Sequence, residues 1–231
     1  MGQETEDEHG MAVYQAGEVV RRKRVFGCFS IISGVLSIVL FVGNLLTAPP
    51  SSPAQLLSFI TNNSAIFILG AVLILLWMAF SVLFVVGLGK LLKPKDVAIS
   101  QGAMLLSAGG ILLLSYGNYT AIAGFLSVAT ANSLAPSQAA AIYQLAILTN
   151  LEYALTDPGL MAWGLGQLLF GWLAWKSGVM PNWLSLLGFL GGASGILASL
   201  AAPPLGPIFA VVAILIFGIW GLATGFLLLH K

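Results

Sequence analysis

Six stretches of this chain, near residues 26–48, 65–89, 101–130, 159–175, 183–201 and 208–229, contain no Asp, Glu, Lys, Arg or His. A bilayer core of roughly 30 Å takes about 20 apolar residues of α-helix, so each stretch is long enough, or nearly so, to cross one. Inside lipid every backbone N–H and C=O must be paired within the protein, which predicts α-helices. Membrane β-strands would alternate over about ten residues, and no such alternation is visible. Composition agrees: 58% of the residues are hydrophobic and 7% charged, against about 25% charged in soluble domains. Nine basic and eight acidic side chains are too few to cover a water-soluble surface of this size. A soluble enzyme, a disordered chain and a nucleic-acid-binding module are all excluded, and a net charge of +1 offers no long-range field to a polyanion.

The breakers between the stretches are Pro49-Pro50-Ser51-Ser52-Pro53, Lys90 to Asp96 around Pro94, Ser177 to Pro181, and Pro203-Pro204 to Pro207. With six spans, all nine basic residues fall on one side: Arg21, Arg22, Lys23, Arg24, Lys90, Lys93, Lys95, Lys176 and Lys231. The positive-inside rule makes that side the cytoplasm. The expected fold is all-α and polytopic: a polar cytoplasmic tail over 1–24, then one six-helix transmembrane domain over 25–231 with both termini cytoplasmic. The basic run and the apolar run after it are both too long for a cleaved leader, so the first span reads as a retained anchor.

The third stretch is long for a bilayer and is expected to tilt or protrude on the outer side. After it, Pro136-Ser137 reads as a helix start, and 138–156 carries apolar residues on one side with Gln138, Thr149, Asn150, Glu152 and Tyr153 elsewhere. This predicts a short amphipathic helix on the outer side, between the third and fourth spans. Asp157-Pro158 then reads as the N-cap and first position of the fourth span.

Small residues recur at helix-packing intervals: Ala103, Gly110, Gly117 and Gly124 every seven residues, Gly188 with Gly192, Gly191 with Gly195, and Gly221 with Gly225 after Gly218. They let helix backbones approach closely, and close packing replaces the hydrophobic drive that lipid removes. A second set is polar. Ser30, Ser37 and Asn44 share a seven-residue spacing, Ser115, Asn118 and Tyr119 share a face, and Gln167 sits mid-span. Two readings stay open for Asn44, Ser115, Asn118, Tyr119 and Gln167: hydrogen bonds between helices, or a polar vestibule open to the outside.

Chemistry has few carriers here. No charged side chain lies within a span, whereas proton relays and ion-coupled carriers depend on such residues. Cys28 is alone, His9 and His230 lie outside the apolar stretches, and neither GxxxxGK[ST] nor GxSxG occurs. No catalytic residue, metal or cofactor is expected. Glu152 and Asp157 are better explained by the helix boundary than as a catalytic pair.

Residues 164–192, GLGQLLFGWLAWKSGVMPNWLSLLGFLGG, join two glycine-rich spans through a short basic loop and a Pro-Asn-Trp-Leu turn. This region resembles the mostly bacterial membrane family called domain of unknown function 4386. The resemblance implies a multi-pass protein of a prokaryotic cytoplasmic membrane, and it transfers no activity and no catalytic residue. The expectation is a non-catalytic subunit or scaffold, partnered by the lipid bilayer and by other membrane subunits or copies of itself. The alternative is a carrier or channel for a small neutral or lipophilic solute. An intramembrane enzyme acting on lipid has the least support.

Overall fold

The computed structural model describes residues 2–46, 52–134, 137–201 and 205–230, with the side chains of 2–20, 44–46, 53–54 and 134 left outside. Seven helices follow one another: α1 Gly2–Leu46, α2 Pro53–Asn62, α3 Ser64–Leu92, α4 Val97–Leu134, α5 Gln138–Ser177, α6 Asn182–Leu200 and α7 Leu205–His230. No strand occurs among the described residues. Five helices among them (parts of α1 and α4, and all of α3, α6 and α7) are long and apolar enough to cross a membrane. The protein is therefore a polytopic helical membrane protein.

Local chemistry explains most of the boundaries. Asp96 accepts a hydrogen bond from the Ile99 N–H at 3.0 Å, which satisfies one of the unpaired donors at the start of α4. Gly178 ends α5 in the left-handed region, φ 63°, where a side chain would be strained. Pro181 directly precedes α6.

α1 is one helix of 45 residues that takes in both the residues before 25 and the first apolar stretch. Between the first two spans stands a further helix, α2, ten residues long and opened by Pro53 at its first position. One expectation needs correction: the short amphipathic helix over 138–156 and the fourth span are not separate elements, and the break at Asp157-Pro158 is absent, because α5 is a single 40-residue helix with Pro158 inside it. A proline there removes the N–H that would reach the Ala154 carbonyl. In a helix pressed against neighbours that loss is tolerated, and α5 is held against α4 on both sides of the proline. Asp157 is thus an interior residue of α5 and not a cap.

The glycine row of α4 lies against α5 along most of its length. Gly110 faces Gly159 and Trp163, Gly117 faces Glu152, Leu155 and Thr156, and Gly124 faces Leu148. A methyl group added at Gly117 would stand 2.9 Å from Thr156 Cγ2, and one at Gly124 would stand 2.7 Å from Leu148 Cδ2. The row repeats every seven residues and its partners recede by about seven, so the two helices run antiparallel in register, as in a coiled coil. At about 1.5 Å per residue, α4 is about 57 Å long and α5 about 60 Å, against about 28 Å for α6. A short turn ties the end of α5 to the start of α6, so the surplus of the α4–α5 pair projects at the opposite end. There α2 packs on it, around buried Leu56, Leu57, Ile60, Phe125, Val128 and Leu145.

The other helices form a closed ring. Contacts run from α1 to α3, α3 to α4, α4 to α5, α5 to α6, α6 to α7, and from α7 back to α1. Gly164 and Gly171 of α5 meet Gly192 and Gly188 of α6, and Gly218, Gly221 and Gly225 of α7 meet Gly34, Ser30 and Gly27 of α1. Gly195 also abuts Gly164.

Candidate functional site

Aromatic side chains fill the interior of the helix ring. Phe217 of α7 has its ring centroid 5.2 Å from Trp163, 5.7 Å from Phe84, 6.2 Å from Trp77 and 6.2 Å from Trp220. All five are buried. Helices α3, α5 and α7 are alternate members of the ring, so their side chains can touch one another only across its middle. Most of these pairs meet edge to face or tilted, the arrangements that aromatic quadrupoles favour.

The polar residues of α1 support this centre from the side. Trp77 Nε1 donates to Ser37 Oγ at 2.7 Å, and Ser37 Oγ donates to the Ser33 carbonyl at 2.8 Å. Ser33 and Ser81 share a hydroxyl–hydroxyl bond of 2.7 Å, while Ser30 Oγ donates to the Gly221 carbonyl at 2.6 Å. Ser30, Ser33 and Ser37 thereby join α1 to both of its neighbours. Asn44 follows on the same spacing in α1, but its side chain lies outside the described residues.

The remaining candidates lie on different surfaces. Asn118 Nδ2 donates to the Leu114 carbonyl of its own helix at 2.7 Å. Ser115 is buried, while Tyr119 is partly exposed and lines a groove between α3 and α4. Gln167 is buried against α6 and α7: its Oε1 occupies the space beside Gly191, next to Ile216. The Nε2 of Gln167 and the indole nitrogens of Trp163 and Trp220 are buried without a hydrogen-bond partner. Tyr119 and Gln167 are not brought to a common surface.

At the α2 end, where α5 leaves the bundle, Glu152 is half-buried beside Gly117. Burial pushes its carboxyl up to about 7, and burial also raises Asp157. The Tyr153 hydroxyl is raised by burial and by the nearby Glu152 and Asp157 charges. Among the described residues no three His, Cys, Asp or Glu side chains gather in a metal-binding group.

Sequence reasoning did not single out the aromatic centre, nor Gly27 with Gly34 and Gly164 with Gly171 as partner faces. The two glycine pairs carried a readable signal, their seven-residue spacing. Trp77, Phe84, Trp163, Phe217 and Trp220 carried none, because nothing local separates an inward aromatic from one facing lipid.

The basic loop and Pro-Asn-Trp-Leu turn that carried the family resemblance form the α5–α6 junction, where Gly164 and Gly171 meet Gly192 and Gly188. Residues 28–231 match the family described as domain of unknown function (DUF4386). The chain belongs to that family. The match begins within α1 and takes in every later helix. No curated protein and no solved structure matches the chain.

Proposed function

We propose that this DUF4386 protein is a non-catalytic scaffold or subunit of a membrane protein assembly. In this reading it crosses the cytoplasmic membrane of a prokaryote six times, with both termini inside. The sixth span is the Pro158-to-Ser177 part of α5. Glycines, Gln167 and tryptophans make it the least apolar of the six, and it can be so because α4 and α6 cover it and little of it meets lipid. Exposed aromatics support the frame. Trp175 and Trp183 mark one end and Tyr116, Tyr119 and Tyr153 the other, as interfacial belts do. Along α5 the two belts are about 33 Å apart at the helical rise, close to the thickness of a bilayer core. The residues from Arg21 to Arg24, with Lys90, Lys93, Lys95 and Lys176, all gather at the tryptophan end, which the positive-inside rule makes cytoplasmic.

The observation that carries the functional reading is the aromatic centre. Phe217 packed against four other rings fills the middle of the ring with apolar surface among the described residues, which supports the scaffold over the carrier alternative. The glycine rows are spent inside the chain, between its own helices, and a partner has to use another surface. On the projecting half of α5, Tyr143, Ile147 and Leu151 recur at helical spacing and are all exposed, beyond the part of the helix that spans. Apolar side chains repeated outside lipid mark a protein contact. The test is a photoreactive residue at Ile147 in native membranes, with Leu105, on the lipid-facing surface of α4, as control. A discrete cross-linked product of protein mass at Ile147 alone is expected. Products at neither position, together with solute flux in reconstituted vesicles, would overturn the scaffold reading.

A further inference from the structure

Along the outer part of α5 the residues turned toward α4 follow one another at alternating steps of four and three: Ala141, Leu145, Leu148, Glu152, Leu155 and Gly159. That is the core row of an antiparallel helix pair, and Glu152 is its one charged member. A carboxylate in such a row is costly unless a base answers it, and the packed elements supply none. α2 has no titratable side chain, and α4 has only Tyr116 and Tyr119. α3 has only Lys90, in its last turn at the opposite end of the bundle. On α5 itself the neighbours are Tyr153 and Asp157, which bring no positive charge.

The seam that holds this carboxyl changes character at Pro158. On the α6 side of it backbone lies on backbone: a methyl group at Gly159 would stand 2.7 Å from the Leu114 nitrogen and 3.0 Å from the Gly110 carbonyl oxygen. On the α2 side the space is filled by side chains, Leu155 and Thr156 at Gly117 and Leu148 at Gly124, which part more easily than two interlocked backbones. Pro158 has no N–H to give the Ala154 carbonyl, so α5 is one bond short at the junction. We propose that residues 138–157 of α5 form a proton-governed arm: with Glu152 protonated the arm lies closed on α4, and ionisation of that carboxyl swings it outward about Pro158. Burial holds the carboxyl at about 7 while the arm is closed, against an ordinary value of 4.5. Opening therefore releases a proton, and the open arm gains ground as pH rises through 7. The open-to-closed ratio grows by up to about 70-fold between about pH 5 and about pH 8. On the six-span reading the arm stands on the outer face and answers to external pH. The motion itself depends neither on that orientation nor on a partner.

The test uses the full chain in detergent, with Cys28→Ser and spin labels on cysteines placed at Ser127 and Gln144. Both are exposed, at one level of the α4–α5 pair on the α2 side of Pro158. A second labelled pair, at exposed Leu105 and Leu165 on the other side of the proline, is the control. Pulsed dipolar spectroscopy should find one short Ser127–Gln144 separation at about pH 5 and a substantial longer population by about pH 8, with Leu105–Leu165 constant. Glu152→Gln keeps the short separation at both values, and Asp157→Asn leaves the response in place. Pro158→Ala, which returns an N–H to the Ala154 carbonyl, diminishes the longer population. An outer pair with the same separation at both pH values overturns the proposal. So does a response that persists in folded Glu152→Gln protein, or a lengthening of both pairs together, which is unfolding of the whole seam.

Discussion

Glu152 carries its carboxyl at about 7 where the ordinary value is 4.5, because burial disfavours the charged form. Between those two values the folded protein retains a proton that the unfolded chain has released. Its contribution to stability is therefore complete below pH 4.5 and is lost as pH rises through 7. Melting temperature in detergent should fall between about pH 5 and about pH 8, and Glu152→Gln should flatten that slope and melt higher than the parent at the alkaline end. A parent whose stability is level across this range would contradict the burial of the carboxyl. Gln167 and Ser37 make a second comparison, between an amide with no partner and a hydroxyl with one. The Gln167 Nε2 is buried and unpaired, so Gln167→Met, of similar shape, should raise stability by about 1–3 kcal/mol. Ser37→Ala should lower it by a similar amount, because it strands the Trp77 N–H. The same two variants melting in the opposite order would mean that Gln167 has a partner of its own.

Within α4, two glycines adjacent in sequence have opposite surroundings. Gly110 is pressed against Trp163 and Gly159, while Gly109, and Gly102 one heptad before it, have open space where a side chain would go. Gly110→Leu should abolish folded protein, because it forces two backbones apart. Gly109→Leu should be tolerated, with a gain in helix propensity of up to about 1 kcal/mol. Yields of monodisperse protein after detergent extraction check both, and equal yields would mean the α4–α5 seam is not as drawn. The glycine row was legible in the sequence because a seven-residue repeat survives in any straight helix. The continuity of α5 was not. Asp157-Pro158 reads locally as a helix start, and only the α4 seam on both sides of it identifies an interior proline. The ten residues of α2 are too few to display a period, and Pro53 before them reads equally well as loop.

For the molecule as a whole, orientation is the property most open to a direct check. Cys28 is exposed and has to be replaced by Ser first. Cysteines at Ser52 and Ser137 should then react with an impermeant thiol reagent added to intact cells, and cysteines at Asp96 and Ser177 should react only after the membrane is opened. Labelling of the second pair from outside would invert or abolish the six-span arrangement. The ring closure has a consequence for biosynthesis. The contact that completes the ring, represented by the Ser30–Gly221 bond, joins residues 191 positions apart, whereas the other ring contacts join helices made in succession, except for α1 with α3. During translation α1 enters the membrane with its Gly27–Ser30–Gly34 face unmatched, and that face waits until α7 emerges from the ribosome. Ribosomes stalled before α7 therefore hold an open horseshoe with a naked small-residue edge, the form of this protein that membrane quality-control proteases should recognise first.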